Sequence, residues 1–270
     1  MMKMRENIAA LSIAGSDPGC GAGIQADLKT FSALGVYGTT VITAVTCQNL
    51  RGLTAIQPIE PEIVDKQLQA VLDGFPIKAA KTGMLFSKEI IETIVGILKE
   101  HPGLPLIVDP VLTSTSGKSL LQKEAVEFLK EKLFPLTALI TPNIAEAEIL
   151  GELNAEIKNR NDQEKAAQKL YEKFEVPVLL KGGHLPGSAC DVLCENNGTT
   201  VFVADIVNGV NNHGSGCTLS AAITAFLARG CGLRESVSEA KAYITCSLKN
   251  PLILNENTRI INHFPFPPFC

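Results

Sequence analysis

The chain has 270 residues, 46% hydrophobic and 19% charged, with a net charge of −4. That composition fills a sizeable core and excludes a disordered chain, and the acidic balance argues against a nucleic-acid binder with a basic surface. No stretch reaches the roughly 18 uninterrupted apolar residues of a membrane span, and the opening MMKMRENIAALSIAGSDPG lacks the long apolar run of a secretion signal, so a cytoplasmic protein without membrane contact is expected.

In chain order, residues 8–14 read as a strand and 24–34 as a helix. Residues 38–46, rich in Thr and Val, read as a strand. A helix over 62–72, a short strand over 77–81 and a helix over 89–99 follow. Residues 106–109 form a compact buried strand after Pro105, 124–133 a helix, 138–141 a strand, 161–174 a helix and 178–181 a strand. Residues 191–194 and 199–203 pair as a hairpin around Asn196, Asn197 and Gly198. Helices over 217–228 and 234–248 follow, and the tail HFPFPPFC is irregular. The alternation predicts an α/β fold, a largely parallel central sheet with helices on both faces, in a single domain over 1–270.

Such sheets bind ligands at the carboxyl ends of their strands. Here those ends run into AGSDPGCGAG, KTGM, VDPV, TPN and KGGH. The eight cysteines include no CxxC, and Cys190 and Cys194 have no His–His pair nearby, so reduced thiols are expected rather than a zinc site.

Cys217 is the cysteine with a special setting, in HGSGCT. Gly214 and Gly216 permit a backbone that aims successive N–H groups into one concavity, and the helix behind them adds its positive end. An anion fits there, such as a phosphoryl group in transfer. A thiol at that helix start is expected to have a depressed pKa and to accept a proton from a substrate hydroxyl. A plain structural cap is the alternative. The first glycine-rich stretch, SIAGSDPGCGAGIQADLKTF, is neither a Walker A loop nor a dinucleotide fingerprint. It suits a loop over a small substrate with Asp27 on the helix behind, or simply a permissive turn.

In TPNIAEAEIL, Asn143 and Glu146 share a helix face and could organise water and Mg2+ near nucleotide phosphates, or merely cap the helix. Lys181 in LLKGGH can reach a phosphate, or be a surface lysine, and Asp109 in VDPV could place a metal or a water. No GxSxG is present, so His184 and His213 are read as hydrogen-bonded loop residues rather than triad members.

Taken together, AGSDPGCGAGIQADLKTFSALGVYG, TAVTCQN, KTGML, VDPV, SGKSLL, TPNIAEAEIL, KGGH, DVL and HGSGCTLSAAITA resemble the hydroxymethylpyrimidine phosphate kinases of thiamin biosynthesis, within the ribokinase-like superfamily. The resemblance spans about residues 8–249 and returns at NHF. It departs from the family pattern at Cys20, at Lys118, in the segment LILNENTRIINHF and before HGSGC.

The resemblance implies ATP-dependent phosphorylation of 4-amino-5-hydroxymethyl-2-methylpyrimidine and then of its monophosphate. It implies that Gln48 hydrogen-bonds the ring, that Met84 and Val111 pack on it, and that Gly15 and Asp27 lie near the hydroxymethyl group. Gly214, Ser215 and Gly216 would form the anion hole with Cys217 as base. Lys181, Asn143, Glu146 and Asp109 would serve ATP and Mg2+, with Glu146 meeting the metal through water. A homodimer is also implied. A pyridoxal kinase of the same fold and a non-catalytic pyrimidine-binding protein are the competing readings.

Overall fold

Alternate residues of each central strand are apolar on opposite faces, so the sheet must be covered on both sides. The computed structural model describes residues 8–113, 120–153, 156–183, 185, 189–256 and 258–265. Lys118, His184 and the last five residues of the proline-rich tail lie outside them.

Among the described residues one sheet runs through the molecule. Its strands are β1 (Ala9–Ser16), β2 (Tyr37–Asn49), β3 (Gly52–Pro58), β4 (Ile77–Thr82), β5 (Leu106–Val108), β6 (Leu139–Ile140), β7 (Val178–Gly182), β8 (Ala189–Glu195) and β9 (Gly198–Ala204). Their order is β3-β2-β1-β4-β5-β6-β7-β8-β9. The stretch from β2 to β7 is parallel, and β3, β8 and β9 join antiparallel at the two ends.

The helices are α1 (Gly23–Ala33), α2 (Pro61–Gly74), α3 (Lys88–Leu98), α4 (Lys123–Phe128), α5 (Ile144–Gly151), α6 (Arg160–Phe174), α7 (Ser215–Ala228) and α8 (Leu233–Lys249). Leu11, Ile13, Leu106 and Val108 face one core, shared with α2 to α6. Ala10 and Ile107 face the other side, under α1, α7 and α8. That period of two is what a doubly covered sheet demands. The expected α/β architecture is therefore present.

Three details differ from the sequence reading. The helix expected over 124–133 is α4 followed by a π-helical turn, Leu129–Leu133, and a 3-10 turn, Phe134–Leu136, where Pro135 ends the run. Edge strand β3 was not anticipated. Nor was a small surface hairpin of β10 (Leu252–Asn255) and β11 (Thr258–Ile260), whose β10 side chains are all exposed.

Candidate active site

Backbone hydrogen bonds lace the carboxyl ends of the parallel strands side by side. Gly83 N–H donates to the Ile13 carbonyl (2.9 Å), Asp109 N–H to Thr82 (3.1 Å), Thr141 N–H to Val108 (2.9 Å) and Lys181 N–H to Pro142 (2.9 Å). Gly15, Met84, Asp109, Asn143 and Lys181 thus stand along one rim.

Helix α7 starts against that rim. Gly214 has φ +83°, and a Cβ there would fall 1.7 Å from the Gly21 carbonyl oxygen. Gly23 has φ +58°, and its Cβ would fall 2.3 Å from the Gly15 carbonyl oxygen. Both positions need glycine for conformation and for space, and so the first loop and the HGSGC turn interlock. Ser215 N–H is taken by the Asn212 carbonyl at 3.0 Å, and the Gly214 carbonyl accepts from Thr218 N–H at 2.8 Å. The first-turn amides left for an anion are those of Gly216 and Cys217. Within the expected Gly214, Ser215 and Gly216 segment, the Ser215 amide is thus engaged in the turn and Gly214 is its steric hinge.

Lys181 lies beside this turn. A Cβ on Gly216 would be 3.1 Å from Lys181 Nζ. Lys181 Nζ donates to Asp109 Oδ1 at 2.8 Å, Thr141 donates to the same oxygen at 3.3 Å and Ser220 donates to Oδ2 at 3.2 Å. Burial opposes ionisation of Asp109, but Lys181 and then Lys81 hold its carboxyl below the usual range. Burial would also lower the Lys181 ammonium, yet Asp109 and Glu146 keep it raised and charged. Lys181 is therefore not a solvated surface lysine, and Asp109 is engaged as its counterion.

Asn143 and Glu146 form a capping box at the start of α5. Asn143 Oδ1 accepts from Glu146 N–H and Glu146 Oε2 accepts from Asn143 N–H, both at 2.9 Å. Glu146 Oε1 also accepts from Leu112 N–H at 3.3 Å. With both oxygens committed and only 3% exposure, burial raises the Glu146 carboxyl. The capping box of the capping alternative is formed. Its extra bond pins the loop beyond β5, where Val111 has φ +39°, a strained value for a β-branched residue.

Cys217 overturns its expected acidity. Burial pushes its thiol up to about 11, against the Lys81 charge, which pulls it down, and with Asp27 and Asp109 adding to the rise. The helix end alone argued for a depressed value, and desolvation outweighs it. Asp27 is also not in the pocket wall. It is fully buried, with Lys81 Nζ donating to Oδ1 at 2.8 Å and Ser12 donating to Oδ2 at 2.5 Å. Burial raises the Asp27 carboxyl; burial works to lower the equally buried Lys81 ammonium, but Asp27, then Cys217 and Asp109, hold it raised. Two donors on one carboxylate are the geometry of a charged pair. This pair lies under the site, and Lys81 was missed in the sequence. The available signal was Asp27 itself, placed with Ile24 and Phe31 on the buried stripe of α1, where a charge needs a partner.

On the other side of α7's start, Gly15 and Met84 meet, with a Gly15 Cβ position 3.2 Å from Met84 Sδ. Gln48, at the end of β2, lies within 2.9 Å of His213 Nε2 through its amide. His213 Nε2 is also 3.0 Å from Asp17 Oδ2. His213 is thus the hydrogen-bonded loop residue expected, while Asp17 escaped notice.

Between α7, α8 and β7–β8 is a cavity lined by Asn143, Lys181, Asp191, Ser215, Gly216 and Lys241. Its wall is polar near the anion turn and apolar farther out, at Ile206, Val207 and Leu248, which suits a nucleotide. Among the described residues no group of three or more His, Cys, Asp or Glu could hold a metal. Among the same residues, no helix is long and apolar enough to cross a membrane.

The start of α7, with the Lys181 cavity on one side and the interlocked first loop on the other, on this α/β sheet, fits a ribokinase-like phosphotransferase. The ADP complex of Bacillus subtilis pyridoxal kinase shares the fold with a TM-score of 0.86 at 35% identity, over 96% of this chain and 98% of that one. The model of the phosphomethylpyrimidine kinase family matches residues 17–262, and the chain belongs to that family. It is 45% identical to the hydroxymethylpyrimidine/phosphomethylpyrimidine kinase of Rhizobium meliloti over 94% of this chain and 96% of that protein. It is 44% identical to the bifunctional thiamine biosynthesis protein of Geobacter sulfurreducens, over 94% of this chain but about half (52%) of that longer protein.

Proposed function

We propose that this chain, as one kinase domain, transfers the γ-phosphoryl group of ATP to 4-amino-5-hydroxymethyl-2-methylpyrimidine and then to the monophosphate, giving the diphosphate used for thiamin. The observation that carries the reading is the start of α7, which stands beside the Lys181–Asp109 pair at Gly216 and against the first loop at Gly214. Nucleotide would enter from the Lys181 side and pyrimidine from the Gln48 side, so the phosphoryl group passes over the turn. Lys181 and the Gly216 and Cys217 amides would meet the charge spread over its oxygens.

Magnesium would arrive on the nucleotide's phosphates, where it neutralises charge, with Glu146 reaching it through water at most. Gln48 would read the ring, with Gly15, Met84 and Val111 around it. Asp27 acts from below, as the counterion that keeps Lys81 charged near Cys217. Cys217 would take the hydroxyl proton as its minor thiolate form. A loose transition state tolerates a scarce base because the proton leaves late. The monophosphate is already ionised and needs no such base. We further read the protein as a cytoplasmic homodimer, which sedimentation of the purified chain tests.

The fold match to a pyridoxal kinase makes pyridoxal the second substrate to try. Purified protein is incubated with Mg-ATP and either compound, and products are followed by phosphorus NMR and mass spectrometry. Sequential mono- and diphosphate of the pyrimidine support the reading. Turnover of pyridoxal alone moves it to the rival, and binding of pyrimidine without turnover leaves a binding protein on a kinase fold.

A further inference from the structure

Asp17, His213 and Gln48 come from three separated segments, the first loop, the turn before α7 and the end of β2. Asp17 is 3% exposed. Its Oδ1 accepts from Gly19 N–H at 2.8 Å, and its Oδ2 from Ala22 N–H at 2.9 Å and Gly21 N–H at 3.2 Å. Burial works against its charge, but His213 and these amides hold the carboxyl below the usual range. Asp17 is therefore an anion. A carboxylate oxygen 3.0 Å from a ring nitrogen needs a proton between them, so His213 Nε2 is the protonated nitrogen.

That proton constrains Gln48. With Nε2 acting as donor, an amide nitrogen 2.9 Å away would set donor against donor. The two ends of a carboxamide have nearly the same shape, and the hydrogen-bond network decides between them. Here it turns the amide oxygen of Gln48 toward His213 and leaves the NH2 for the ligand. The ring of His213 packs on Gly21, where an added Cβ would lie 2.9 Å from its Cδ2.

We propose that His213 is a positioning residue that fixes the Gln48 amide with its NH2 end toward the substrate, so that the site selects rings offering a hydrogen-bond acceptor at that place. The proposal rests on the pyrimidine-kinase reading. An aminopyrimidine has two ring nitrogens that can accept, and a ring with C–H in the relevant place cannot. Without the Asp17–His213 restraint, Gln48 can present either end, and the choice weakens.

The test compares the hydroxymethylpyrimidine with two pyridine analogues, each with one ring nitrogen replaced by C–H, by kcat/KM at saturating Mg-ATP. Wild type should disfavour one analogue by roughly ten- to a hundredfold, the loss when a site donor has no acceptor. His213→Leu should cut that ratio by about tenfold through KM of the pyrimidine, leaving KM for ATP unchanged. His213→Gln, which can still donate to Asp17, should retain most of the ratio.

Thermal unfolding verifies that each variant is folded. If His213→Leu does not fold, His213→Asn, polar but too short to reach Asp17, replaces it with the same expectation. An unchanged ratio in a folded Leu or Asn variant, with kcat and both KM values drifting together, makes His213 a structural post and overturns the proposal. So does a wild type indifferent to both analogues. Failure of wild type to phosphorylate the parent pyrimidine at all is a different result, and it refutes the substrate assignment instead.

Discussion

Cys217 carries the sharpest consequence at the scale of single residues. Its thiol lies at about 11, so near neutrality the thiolate is scarce and grows tenfold with each pH unit. If that thiolate takes the hydroxyl proton, kcat/KM for the first phosphorylation should climb with a logarithmic slope near 1 from about pH 6.5 to about pH 9. Cys217→Ala should flatten the climb and lower the rate by about 10²–10⁴-fold, while phosphorylation of the monophosphate changes far less. A plateau near pH 7 in wild type would mean that another group is the base. Equal loss of both steps in Cys217→Ala would contradict the division of labour. The place of Cys217 was legible in HGSGC, but its acidity was not. The helix-end argument sees the local field, whereas the burial that wins, and the opposing charges of Lys81, Asp27 and Asp109 around the thiol, come from elements distant in the chain. Glu146 teaches the same lesson: its spacing to Asn143 was legible, but its third bond, to Leu112, belongs to tertiary structure.

At the scale of elements, the start of α7 is held by the segment after β11. His263 is 4% exposed, and its Nε2 lies 3.1 Å from Thr218 Oγ1, which itself donates to the Gly214 carbonyl at 2.9 Å. Tyr243 of α8 donates to the His263 carbonyl at 2.5 Å. With the Thr218 proton committed to Gly214, His263 supplies the other one and stands neutral as its Nε2–H tautomer. Burial pushes its imidazole down to about 4 from 6.5. The unfolded chain therefore binds more protons between those values, and stability falls as pH drops from about 6.5 toward 4, by about 3 kcal/mol when complete. His263→Gln should lower Tm near neutrality and shallow the acid slope. An equally steep slope in that variant would assign the acid loss to other groups. NHF was visible in the sequence as a family ending, but nothing local joined it to HGSGC. The β1–α1 and α7 elements could be read because their glycines and apolar spacing are local signals. The hairpin of β10 and β11 buries none of the described β10 side chains, so apolar patterning had no core face to report.

Across the whole molecule, the order of the strands decides where the two ligands meet. Alternating apolar segments implied a parallel sheet, and five polar strand ends implied its active edge. Neither implied that β3 would border β2 or that β8 and β9 would close the far side, because neighbour choice is a property of pairing rather than composition. That order places Gln48 and Gly15 on one flank of α7 and Lys181, Asn143 and Lys241 on the other. The two flanks should thus be separable by binding alone. ADP and the hydroxymethylpyrimidine, each at about 100 times its Kd, should each stabilise the fold by about 2.7 kcal/mol and raise Tm. Lys181→Gln keeps an N–H for the buried Asp109 but removes the charge facing the phosphates. It should shrink the Tm rise from a fixed ADP concentration while preserving the rise from pyrimidine, as differential scanning fluorimetry can follow. Loss of both rises in a folded variant would mean that the flanks are one coupled site. Loss of neither would remove Lys181 from the nucleotide and leave it as the structural partner of Asp109.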